Sequence, residues 1–215
     1  KWKPSVFGDI MVMPTKDTFT LEALSDNSFH IAVCGNAGKI SAVSDGIAVY
    51  YTKVPVKDNF IFSASMKINN YFLNDQVSFG LMVRDDMYID KVTPDILGDY
   101  VAAAPLLLTH ENAPANCFAR KRGKLVYGCT CTRVYKPGET VKVQIESTSD
   151  GYACTFGDET TITGGFDFKL TALDPENVYL CMFAARHADV TFSDVRFEIK
   201  YDNQADNYRS ADGIC

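Results

Sequence analysis

The feature that most constrains this chain is a rhythm of short alternating runs. They recur about every ten residues and are separated by Gly, Asp, Asn and Pro, with no convincing helical segment between them. Phe60, Phe62, Ala64, Met66 and Ile68 take one parity; Ser63, Ser65, Lys67 and Asn69 take the other. Side chains alternate faces along a strand, so this run has one core face and one solvent face. Val141, Val143 and Ile145 repeat the pattern against Lys142 and Gln144. Val190, Phe192, Val195, Phe197 and Ile199 close the series, with a parity slip at Ser193-Asp194 that predicts a β-bulge.

Further strands are expected over residues 6–12, 29–34, 47–54, 76–84, 100–107, 116–122, 124–131, 151–156, 160–166 and 178–186. Roughly thirteen strands suit two packed sheets better than one open sheet. The predicted fold is all-β: a two-sheet antiparallel jelly-roll sandwich over residues 1–200, followed by a polar, aperiodic linker or tail over 201–215. Turns are marked by Arg122-Gly123, Lys136-Pro137-Gly138, Ser149-Asp150-Gly151 and Gly157-Asp158.

A chain of 215 residues can bury a large core without disulfide staples. Its net charge of −6 argues against nucleic-acid binding, which needs a basic face. The longest apolar run, residues 100–108, is too short to cross a bilayer, so no membrane partner is expected. Lys1 to Pro4 carry no apolar leader core, so any signal peptide is expected to have been removed or left out. The seven cysteines are Cys34, Cys117, Cys129, Cys131, Cys154, Cys181 and Cys215. Most fall in strand-like runs and read as small buried residues. Cys129 and Cys131 share a face but lack further ligands at a zinc-like spacing. The odd count leaves room for one or two disulfides and at least one unpaired thiol, best placed at Cys215 in the tail.

The runs 45–51, 78–89, 117–120, 152–155, 178–186 and 191–195 resemble, in order and spacing, the concanavalin A-like β-sandwich modules of secreted bacterial polysaccharide-degrading proteins, pectin-degrading ones among them. The resemblance runs from Trp2 to Phe197. It implies an extracellular, monomeric, non-catalytic carbohydrate-binding module. Its partners would be a polysaccharide or oligosaccharide and an appended catalytic domain. Catalytic members of the wider group carry Glu-x-Asp-x-x-Glu on one strand, and no such triplet occurs here. The three histidines, His30, His110 and His187, have no nucleophile motif beside them.

The expected ligand-binding residues are Tyr51, Arg84, Asp85, Asp86, Tyr88, Arg120 and Arg186. Val77, Phe79, Leu81 and Val83 face the core, so Arg84 projects from the opposite, more polar face. A guanidinium there can donate paired hydrogen bonds to sugar hydroxyls or a carboxylate. Asp85 and Asp86 can accept from hydroxyls, and Tyr88 can stack on a sugar ring; an internal Arg–Asp bridge ordering the loop is the equally weighted alternative. Strand-borne Arg120 and Arg186 are expected to converge with Arg84 on one sheet, with Tyr50, Tyr51 and Tyr100 as candidate platforms. A structural calcium is expected, as in the sandwiches that this chain resembles, at the oxygen-rich loop from Asp85 to Asp99 or at the chain ends, at Asp9, Asp194 and the Asp26-Asn27 turn. Two rival readings stay open: a lyase or hydrolase with an atypical site, and an adhesive surface module.

Overall fold

The computed structural model describes residues 1–11, 18–55, 59–89, 98–110, 115–129, 133–157, 162–170 and 174–200. The expected tail over 201–215, and Cys131 and Cys215, lie outside the described residues. Among the described residues, fifteen strands form: β1 (Lys3–Phe7), β2 (Phe19–Ser25), β3 (Ser28–Val33), β4 (Lys39–Ile40), β5 (Asp45–Pro55), β6 (Asn59–Tyr71), β7 (Ser78–Arg84), β8 (Tyr100–Ala103), β9 (Cys117–Lys121), β10 (Lys124–Cys129), β11 (Thr140–Ser147), β12 (Tyr152–Gly157), β13 (Gly164–Phe166), β14 (Asn177–Ala185) and β15 (Ala188–Lys200). The first sheet runs β1-β5-β14-β7-β8-β9-β10, with β4 paired to the start of β5. The second runs β13-β12-β11-β6-β15-β3-β2. Neighbours are antiparallel throughout, which makes the predicted two-sheet sandwich.

The alternation dictates the packing. Phe60, Phe62, Ala64, Met66 and Ile68 point into the space between the sheets, where Phe79, Leu81 and Val83 meet them from β7. Burying each large apolar side chain contributes about 1.5–3 kcal/mol. The slip at Ser193-Asp194 is a bulge: pairing with β6 jumps from Ser193↔Ser65 to Arg196↔Ser63, and Asp194 takes φ 50°. Arg122 and Gly123 both have positive φ (51° and 78°), the conformation of a tight two-residue hairpin turn, and they join β9 to β10.

Two expectations are corrected. The strand read as 6–12 stops at Phe7, and a 3-10 turn, Gly8–Met11, follows it. The face of β7 opposite the core is not open: Ser78, Met82 and Arg84 are buried. That face carries a second apolar cluster of Phe7, Ile40, Ile47, Val49, Met82, Met87, Leu106, Phe118 and Phe183. The 3-10 turn can lie against β5 because of two glycines. A Cβ on Gly8 (φ 75°) would stand 2.2 Å from the Asp45 carbonyl oxygen, and one on Gly46 would stand 2.0 Å from Asp9 Oδ1. Gly8→Ala or Gly46→Ala is therefore expected to lower stability by about 2 kcal/mol or more. An unchanged urea midpoint would contradict this close packing.

Candidate functional site

Register places one residue from each of six strands in a row across the outer face of the first sheet. Lys53 pairs with Tyr179, Tyr179 with Arg84, Arg84 with Tyr100, Tyr100 with Arg120, and Arg120 with Leu125. Cations and aromatic rings alternate along the row up to Arg120. The Lys53 ammonium lies 5.8 Å from the Tyr179 ring centre, and the Arg84 and Arg120 guanidiniums lie 5.0 Å and 5.7 Å from that of Tyr100. All three are within range of the attraction between a cation and a ring face. The face is strongly curved, because Arg84 also lies 5.0 Å over the ring of Phe7, on β1.

The two arginines of the row differ in how they are satisfied. Arg120 and Asp45 are both fully buried. Arg120 donates from Nε to Asp45 Oδ2 (2.8 Å) and from Nη2 to Asp45 Oδ1 (2.6 Å). It donates further to the carbonyls of Ser41 (2.6 Å) and Gly123 (3.0 Å). Burial pushes the Asp45 carboxyl above the usual range, and Arg120 pulls it back. Arg84 is equally buried, but among the described residues it donates from Nε to the Asp86 carbonyl (3.1 Å) and from Nη1 to Met82 Sδ (3.2 Å). Among the described residues, its Nη2 and Asp85 Oδ1 are buried without a partner. Burial, reinforced by Asp99, pushes the Asp85 carboxyl up to about 6.

Gly98 passes directly over Arg84. The point where its Cβ would stand is 3.0 Å from Arg84 Nη2 and 3.0 Å from the Tyr88 hydroxyl oxygen. Tyr88 and Asp86 are half-buried, and Tyr179 and the more exposed Lys53 continue the accessible rim along the row. Asp86 Oδ1 also accepts from the Met87 amide (2.8 Å), which fixes the start of the loop. Tyr51 is buried on the same face, its ring 6.0 Å from that of Tyr179.

Thus Arg84, Asp85, Asp86, Tyr88 and Tyr51 gather at this end of the sheet, and Arg120 shares the Tyr100 ring. Arg186 does not join them. It follows the end of β14 with φ 48° and donates to the Gln76 side chain and the Asn36 carbonyl. Arg186 was expected as a strand-borne arginine, but β14 ends at Ala185 and the backbone at Arg186 and His187 is left-handed. Tyr50 faces the inter-sheet core, its ring 4.8 Å from that of Phe29. Lys53 and Tyr179 were not singled out from sequence, because only pairing register reveals that they continue the row of Arg84.

Asp9 and Asp194 are separate. Asp9 lies in the 3-10 turn, 3.8 Å from the Lys39 ammonium. Asp194 lies in the bulge of β15 and lines an open polar groove of about 300 Å³ on the second sheet, with Ser63, Ser65, Gln144 and Arg196. Asp9 thus has a cation beside it, whereas the groove beside Asp194 combines side-chain oxygens with Arg196. Among the described residues, no group of three or more His, Cys, Asp or Glu is placed to hold a metal ion.

Residues 10–106 match the pectate disaccharide-lyase N-terminal domain. A pectate lyase L of Thermoclostridium stercorarium is 28% identical over 81% of this chain, which covers 13% of that protein. A pectate disaccharide-lyase of Dickeya chrysanthemi is 21% identical, again over 81% of this chain and 28% of that protein. The chain thus spans less than a third of the length of either relative. Among solved structures, an alginate lyase A1-II' of polysaccharide lyase family 7 superposes with a TM-score of 0.55 at 10% identity, over 94% of this chain and 95% of that one. That likeness shows a shared fold. In sequence and fold, the chain resembles the β-sandwich modules of polysaccharide-degrading enzymes.

Two outcomes follow from the row. Arg120→Ala is expected to cost about 3–5 kcal/mol, because Asp45 is left charged and buried. Arg120→Met combined with Asp45→Leu should recover most of that loss in urea denaturation; a double variant as unstable as the single one would show that the pair itself is not the cause. Asp85 has a folded-state pKa raised from 3.8 to about 6. Its ionised form is disfavoured in the fold, so its effect on stability worsens as pH rises through that window. Asp85→Asn should therefore stabilise the protein at pH 7 and have no effect near pH 3, read from urea midpoints across that range.

Proposed function

We propose that this chain is a non-catalytic module that binds polysaccharide outside the cell and holds an appended catalytic domain against it, with pectin-type, uronate-rich glycan as the target. The observation that carries this reading is the unpartnered Arg84 Nη2 beneath the half-buried Tyr88, in one row with Tyr179 and Lys53. Aromatic rims suit the CH faces of sugar rings, and clustered cations suit uronate carboxylates. The similarity over residues 10–106 supports the pectin-type target and covers Tyr51, Lys53, Arg84, Asp85, Asp86 and Tyr88. The net charge of −6 weakens long-range attraction to an acidic polymer, and the exposed cation of the row is Lys53, which lies 3.4 Å from Asp174.

A second reading, a polysaccharide lyase, is favoured by one observation: a carboxyl with a pKa near 6 beside an arginine and a tyrosine. One experiment separates the two. The protein is titrated calorimetrically with oligogalacturonate, alginate oligosaccharide and neutral xylan, and each mixture is followed for the ultraviolet absorbance of unsaturated uronate products. The expected result is saturable binding of oligogalacturonate with no product, weakened about tenfold, or roughly 1.4 kcal/mol, by Tyr179→Ala or Tyr88→Ala. Accumulating product would replace this reading with the lyase. Absence of binding to every glycan would overturn both and favour an adhesive surface module.

A further inference from the structure

Two buried thiols, one from each sheet, lie beside the contact between β10 and β13. Cys117 begins β9 in the first sheet and Cys154 lies in β12 in the second; both are fully buried in the inter-sheet core. Facing sheets usually stand about 10 Å apart, too far for two cysteine side chains to bridge without help. Here two glycines remove the spacers. A Cβ on Gly164 of β13 would stand 3.0 Å from the Gly128 carbonyl oxygen of β10 and 3.2 Å from Cys117 Sγ. A Cβ on Gly128 would stand 2.8 Å from the same sulfur. Gly164 is the register partner of Cys154, so the close approach that seats Cys117 Sγ also brings it to Cys154. The Cys154 thiol beside it, together with burial, holds the Cys117 thiol far above its ordinary range. In its reduced form the Cys117 thiol is therefore a poor nucleophile once the chain is folded.

We propose that Cys117 and Cys154 are the site of a disulfide that joins the two sheets, formed while the chain folds. Two thiols give up two protons and two electrons, and one sulfur–sulfur bond forms. The electrons pass by thiol–disulfide exchange to a small-molecule or protein disulfide, which is reduced to thiols. Cys129 is the competing partner, since it is paired with Cys117 across β9 and β10. Cys181 is excluded by its surroundings: it packs on the outer face of the first sheet, 3.7 Å from Met87 Sδ. Cys34 is exposed, outside this core.

The test needs no glycan, so it is independent of the proposed function. The denatured, reduced chain is refolded in a buffer of oxidised and reduced glutathione. Remaining thiols are alkylated in denaturant, and the chain is digested without reduction for mass spectrometry. The expected product links the Cys117 and Cys154 peptides, and this oxidised form has a higher urea midpoint than the same protein treated with reductant. Cys117→Ala and Cys154→Ala should each abolish the link and the response of the midpoint to reductant. If either variant fails to fold, the wild-type cross-link and its midpoint shift decide alone. Alkylation of both cysteines in the refolded wild type would overturn the proposal, as would a link from Cys117 to Cys129.

Discussion

The bidentate pair of Arg120 and Asp45 governs how the outer face of the first sheet is built. Both charges are fully buried, and a lone charge in such a place is costly; the pair is tolerable because four hydrogen bonds satisfy the guanidinium. The pairing has a mechanical result. Asp45 opens β5 and Ser41 lies just after β4, whereas Arg120 sits on β9, with β14, β7 and β8 between β5 and β9 in the sheet. The pair therefore draws the β4–β5 turn onto a distant strand and fixes the cover over the second apolar cluster. The contact between Gly8-Asp9 and Asp45-Gly46 anchors the other side of the same cover.

Arg84 shows the opposite economy. It lies beside Tyr100 in the same row and is as deeply buried, yet one guanidinium nitrogen has no partner. A buried donor without an acceptor costs about 1–3 kcal/mol. A chain that satisfies Arg120 completely, two strands away, does not lack the means to satisfy an arginine. The unspent hydrogen-bonding capacity at Arg84 and the adjoining Asp85 thus lies at one end of the first sheet.

Much of this was legible in the residue pattern. The inward set from Phe60 to Ile68, the bulge at Ser193-Asp194 and the hairpin turn at Arg122-Gly123 are local, and local sequence encodes them. The parity of β7 also placed Arg84 on the correct face. Its burial was not legible, because burial depends on what covers the face, and Phe7, Ile40 and Leu106 arrive from distant parts of the chain. The edge strand β2 was missed because most of its residues are exposed and it buries no clear alternating set. Arg186 was misplaced because it was read as strand-borne, whereas β14 ends at Ala185 and Arg186 lies in left-handed backbone. The row itself is a property of register across six strands, which no single stretch of sequence displays.

The contact between Gly128 and Gly164 has a consequence for how this molecule behaves in company. β10 and β13 are the last strands of their sheets, and a last strand usually offers unpaired amides and carbonyls to any extended chain that drifts past. Here these two borders lean on each other at the glycines, so each shields the other from recruitment into intermolecular sheet. A bulkier residue at either glycine would pry the borders apart and expose them to strand addition. The absence of two side chains thus serves as protection against self-association, as a charged or proline-bearing edge does in other sandwiches.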